Sequence, residues 1–192
     1  MTDWGRRRNI FRGIIRLMQF NGQGLLEFGD TAQAFFNSLA PLLAFPLLGA
    51  GIALIGGAPY RAATSFLVAL VLLLAPPVLS HLLAVLWRRE TLWPRFAVAF
   101  NWCASAIFFI GLILVRILAG QAAVDPGHWN SRTLLFWMAF NLYWAVLTGF
   151  LTRRGLRVST VRAIVMVVFV NFGTILLVAA PIAWLKFFTQ GG

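Results

Sequence analysis

Five long stretches without a single acidic side chain dominate the chain, and the first, Phe35–Gly57 (FFNSLAPLLAFPLLGAGIALIGG), has 23 residues and no charge at all. At about 1.5 Å of rise per residue, a helix of that length crosses a hydrocarbon core about 30 Å thick. The other stretches cover residues 62–87, 96–119, 133–152 and 161–185. Inside lipid every backbone N–H and C=O needs an internal partner, which leaves helices and closed barrels; long unbroken apolar runs select helices. The expected fold is all-α, a polytopic membrane bundle of five transmembrane helices preceded by an amphipathic interfacial helix. Residues 1–30 form a basic segment on one side, residues 31–187 the membrane domain, and residues 188–192 a short tail on the other side.

Charge agrees with this plan. Charged residues make up 11% of the chain and hydrophobic ones 60%, whereas ordinary soluble domains carry about 25% charge. The net charge is +11, with Arg supplying fifteen of the sixteen basic side chains. In a soluble domain that excess would point to nucleic acid. Here the arginines cluster in the short segments between spans, so nucleic acid is not an expected partner. Arg6, Arg7, Arg8, Arg12, Arg16, Arg88, Arg89, Arg95, Arg153, Arg154, Arg157 and Arg162 share one side, twelve against four for Arg61, Arg116, Arg132 and Lys186. The positive-inside rule then places the N-terminus in the cytoplasm and the C-terminus in the periplasm of a bacterial inner membrane. Trp87 and Trp93 mark the inner boundary, Trp129 and Trp184 the outer one.

Residues 8–28 read as a helix lying in the headgroup boundary. Arg8, Arg12 and Arg16 recur every fourth residue, extended by Gln19 and Gln23, while Phe11, Ile14, Ile15, Met18 and Leu25 take the other side. Each arginine near anionic lipid contributes about 1 kcal/mol of attraction. Gly13, Gly22 and Gly24 weaken the helix and place a break after Asn21. The alternative is a flexible basic tail that only sets orientation. A secretory signal does not fit, because Arg12 and Arg16 interrupt the apolar run.

Asp30 reads as the N-cap of span one, with Gln33 in capping-box position. Pro41 and Pro46 in that span, and Pro76-Pro77 in span two, predict kinks or breaks. Gly49, Ala53 and Gly57 form a small-residue stripe suited to a close helix neighbour. Ser159 or Thr160 starts span five.

Ionisable and amide groups at membrane depth mark function or helix pairing. All five acidic residues, Asp3, Glu27, Asp30, Glu90 and Asp125, fall outside the spans, which argues against ion-coupled transport through a carboxylate. What remains is His81, Asn101, Asn141 and Asn171. His81 and Asn101 fall at similar depth in consecutive spans, and Asn141 and Asn171 near mid-membrane. These four either line a polar cavity beneath the Pro76-Pro77 kink or join helices through amide hydrogen bonds. Arg116 snorkels to the outer headgroups. Asp125 with His128 is too sparse for a metal site, and lone Cys103 makes neither a disulfide nor a metal centre. No cofactor is expected.

From Phe28-Gly29-Asp30-Thr31 through Pro41-Leu42-Leu43-Ala44-Phe45-Pro46, and again at Phe100-Asn101-Trp102, the chain resembles small bacterial inner-membrane proteins. Their plan is similar to that of the Yip1-domain family: a cytoplasmic N-terminal segment, five helices and an outside C-terminus. The resemblance implies a non-catalytic membrane protein that works through partners or on membrane organisation, and it carries over no site residues. The expected partners are anionic inner-leaflet lipids, with a membrane protein or a second copy as further possibilities. The alternative is a small permease or transporter subunit using the kinked spans. A lipid-modifying enzyme fits least, since the inner loops offer only Glu90 among arginines.

Overall fold

The structure, a computed structural model, describes residues 9–119 and 131–190. Arg8, the turn around Asp125 and His128, Trp129 and the last two residues lie outside the described residues, as do the side chains of Arg116 and Trp184. The order is α1 (Ile10–Met18), a 3₁₀ segment (Gly22–Glu27), α2 (Ala32–Ile55), α3 (Pro59–Leu86), α4 (Trp93–Ala119), α5 (Ser131–Gly155) and α6 (Thr160–Gln190). The five helices from α2 to α6 are each long and apolar enough to cross a membrane, and the chain is a multi-pass membrane protein.

Local chemistry sets the boundaries. Thr31, not Asp30, caps α2: its hydroxyl accepts the Ala34 N–H at 3.2 Å. The Asp30 carboxylate is thereby left for Arg95, with which it forms an ion pair, while Gln33 donates to Asn37 at 2.9 Å. Gly57, at φ +72°, closes α2 by letting the Ala58 N–H reach back to Ala53 O at 3.0 Å, a left-handed turn that suits glycine. Pro59 then opens α3, where its missing N–H costs nothing. Ser159 caps α6 through the Arg162 N–H. Both α2 and α3 run unbroken through their prolines.

The five spans close a ring. α2 touches α3, α3 touches α6, α6 touches α5, α5 touches α4, and α4 returns to α2; α3 and α4 meet only weakly. Buried side chains concentrate at the end holding the N-terminal segment and the α3–α4 and α5–α6 turns, hereafter the basic end. Leu83, Ala84, Phe96, Ala99, Cys103, Leu147, Leu151, Leu156 and Met166 fill it. Close approaches are made at Gly111 against Phe140, Gly155 against Phe96 and Gly173 against Leu79, while nothing lies within 4 Å of a Cβ built on Gly49. Among the described residues, the two glycines of the Gly49–Ala53–Gly57 stripe thus meet no close neighbour.

The N-terminal segment folds back onto this end. α1 packs on the 3₁₀ segment and on α4 and α5, burying Gly13, Ile14 and Leu17. Phe28 is 1% exposed and fills the junction. Glu27 is buried, takes the Arg16 guanidinium at 3.4 Å and accepts the Asn9 N–H at 3.3 Å. The Tyr143 hydroxyl of α5 donates to Met18 O at 2.7 Å. The helix ends at Met18, earlier than the expected break after Asn21, and Phe20 takes a left-handed φ of +58°. Its apolar surface is thus divided. Protein covers one part, while Phe11 (79% exposed) and Ile15 (57%) remain uncovered.

Candidate functional site

Inside the ring, at about 10–20 Å from the basic end by helical rise, lies a cavity of about 640 Å³ lined by residues of all five spans. α2 contributes Pro41, Leu42, Phe45 and Pro46; α3 contributes Leu72, Leu73 and Pro76. α4 supplies Asn101, Ala104 and Ser105, α5 Trp144 and Thr148, and α6 Asn171 and Thr174. The walls are mainly apolar with a few polar groups among them, the usual make-up of a small-molecule site.

The prolines matter twice here. A proline inside a helix has no N–H to offer the carbonyl four residues earlier. Pro46, Pro76 and Pro77 thus deprive the carbonyls of Leu42, Leu72 and Leu73 of their usual donors, and all three of those residues line the cavity. Pro41, Pro46 and Pro76 themselves form part of the wall. The carbonyl of Pro77 is taken by the Ser80 hydroxyl at 3.0 Å, away from the cavity.

Most side-chain hydroxyls and amides in the spans are satisfied locally. Ser105 donates to Asn101 O at 2.9 Å, Thr174 to Val170 O at 2.7 Å and Thr152 to Thr148 O at 2.8 Å. Thr148 is the exception: its hydroxyl is buried with no hydrogen-bond partner among the described residues, and Thr148 lines the cavity. A buried polar atom left in this state costs about 1–3 kcal/mol.

The four polar residues singled out in the sequence separate. Asn101 is buried and donates to Ser38 Oγ of α2 at 3.0 Å, and Ser38 in turn donates to Phe35 O. It does not pair with His81, because α2 rather than α3 is the neighbour of α4 in the ring. His81 is exposed and stands edge-on to Trp93 at 4.7 Å, outside the cavity. Asn141 and Asn171 do not pair either. Each turns back on its own helix, to Trp137 O at 2.8 Å and Val167 O at 2.7 Å. A self-satisfied amide needs no partner helix, so Asn141 stays exposed, whereas Asn171 reaches the cavity wall. The cavity thus takes in Asn101 and Asn171 of the four. Of the three arginines expected to face lipid, Arg12 is exposed, and Arg16 is instead drawn to buried Glu27.

Ser38, Ser105 and Thr174 had no mark in the sequence, because a hydroxyl that bonds to the preceding turn barely disturbs an apolar run; Thr148 had none either, since one threonine in an apolar run does not show that its hydroxyl lacks a partner. Among the described residues no three His, Cys, Asp or Glu side chains gather as metal ligands. No family model, curated protein or solved structure matches the chain.

Proposed function

We propose that the chain is a non-catalytic membrane protein that acts through membrane lipids, holding an apolar chain in the cavity inside the ring. The observation that carries this reading is the cavity itself: about 640 Å³ of largely apolar space at the depth of the spans, reached by every transmembrane helix. The carbonyls of Leu42, Leu72 and Leu73, which the prolines leave without their usual donors, and the amide of Asn171 offer a polar foothold for one ester or hydroxyl on an otherwise greasy occupant. The basic end, with Arg12, Arg154 and Arg157 exposed, suits an anionic leaflet. Together with the positive-inside count, this supports a reading in which that end faces the cytoplasm of a bacterial inner membrane. The five-helix plan resembles the Yip1-domain family, which supports a role in membrane organisation.

Native mass spectrometry of the protein released from mild detergent tests this. A lipid adduct is expected on the wild type and not on Ala104→Phe, which fills the cavity from α4. If wild type and variant carry the same adducts, or neither carries any, the lipid-binding reading fails. A second reading, a small permease or transporter subunit, draws on the same cavity, because Asn101 and Asn171 on its wall offer amide groups to a small polar solute. Solute flux into liposomes that Ala104→Phe blocks would favour that reading.

A further inference from the structure

A second pocket, of about 550 Å³, opens at the basic end between the 3₁₀ segment, the start of α4 and the α5–α6 turn. Three arginines line it from separate parts of the chain: Arg95, Arg154 and Arg157. Gln23 and Thr91 add neutral polar groups, and Asp30 is its single carboxylate. The pocket wall therefore carries a surplus of two positive charges. We propose that this pocket binds the phosphate of an anionic ester, supplied either by a phospholipid headgroup or by a free phosphate ester.

The arrangement is specific in three ways. The Arg154 stem lies alongside Gly22, where a Cβ would stand in ordinary contact at 3.6 Å from its Cγ and Cδ, so α5 and the 3₁₀ segment meet at the pocket through this arginine. Arg157 sits at φ +52°, a left-handed backbone that glycine adopts without strain; arginine there is held against its own preference. Arg95 spends one arm on Asp30, while its Nε is buried without a hydrogen-bond partner among the described residues. Forked, always-charged donors arrayed around one space match the several oxygens of a phosphate better than a single carboxylate. Leu25 and Leu92 line the same pocket, giving the non-phosphate part of an ester an apolar wall.

The headgroup source rests on the lipid-binding reading above; the free-ester source does not. Two probes separate them on the full chain in phosphatidylcholine nanodiscs: labelled phosphatidylglycerol in the bilayer, and glycerol 3-phosphate in solution. Binding of the first alone assigns a headgroup, binding of the second assigns a free ester, and either supports the phosphate site. Arg154→Gln with Arg157→Gln is expected to weaken the bound probe about 10- to 100-fold, the loss of charge-assisted hydrogen bonds. Arg153→Gln with Arg162→Gln removes equal charge outside the pocket and is expected to change affinity less than about threefold. Asp30→Asn, which deletes the competing carboxylate, is expected to tighten binding about two- to fivefold. If the two double variants lose affinity equally, or the wild type binds neither probe, the proposal is overturned. Should the first double variant fail to fold, Asp30→Asn decides, and absence of tightening counts against the site. A chain adduct that survives Arg154→Gln with Arg157→Gln while phosphatidylglycerol binding is lost leaves the cavity reading standing on its own.

Discussion

The sequence points to a close neighbour at Gly49 and only to a weakened helix at Gly24, and the surroundings are the reverse. A Cβ on Gly24 would meet the backbone oxygen of Gly13 at 2.7 Å, and backbone cannot yield as a flexible side chain can. Gly24→Ala is expected to lower stability by about 1–3 kcal/mol, read as a fall in melting temperature in detergent. Gly49→Ala meets open space and is expected to leave stability unchanged or raise it by up to about 1 kcal/mol from helix propensity, read as an equal or higher melting temperature. Equal effects at the two sites would contradict the close packing of α1 on the 3₁₀ segment. At this scale the sequence was half legible. That Asn101 faces the bundle follows from the cost of an unpaired amide in lipid. That its partner is Ser38 does not follow, since depth along a helix says nothing about which helix stands opposite. The expected Asn141–Asn171 pair ignored the cheaper solution of bonding to the preceding turn, which both residues take.

The helices themselves were readable almost to their ends, because an uncharged run of span length leaves few other solutions. The N-terminal helix was readable only in part. The four-residue spacing of Arg12 and Arg16 identifies a polar side, but periodicity does not say whether lipid or protein covers the apolar side. Here protein covers Leu17 completely, and Phe11 and Ile15 are left for the surroundings. Leu17→Ala is expected to cost about 2–5 kcal/mol, expressed as release of the segment rather than collapse of the spans. Limited proteolysis around Gln19–Gly29 should speed up while the protein stays in the membrane. Unchanged cleavage would mean that the segment is not held by this contact.

At the level of the molecule, hydropathy delivered the number of spans but not their order in the ring, since lipid-facing and ring-facing positions are equally apolar. The cavity was legible as an idea from the prolines and amides; its hydroxyl was not. Thr148→Val should uncouple stability from binding, stabilising the lipid-free protein by about 1 kcal/mol or more as the unpartnered buried hydroxyl disappears, read as a higher melting temperature, while leaving the yield of the lipid adduct unchanged. A lower melting temperature would mean that this hydroxyl has a partner in the folded protein. Topology offers a broader test: reporters placed ahead of Asn9 and after Gln190 are expected on opposite faces of the membrane, the first in the cytoplasm. Matching compartments would break the five-span account.

Alternating up and down around a closed circle works only for even numbers. With five members, one adjoining pair has to point the same way, and in this ring it is α2 and α4, both leaving the basic end. Their macrodipoles lie side by side with like poles together, the one juncture where that term repels. It is also where the chain has placed its clips: the Asn101–Ser38 bond, the Arg95–Asp30 pair, and Phe45 wedged against Phe108 and Phe109. An odd number of staves thus leaves one joint that side chains, rather than alternation, have to hold.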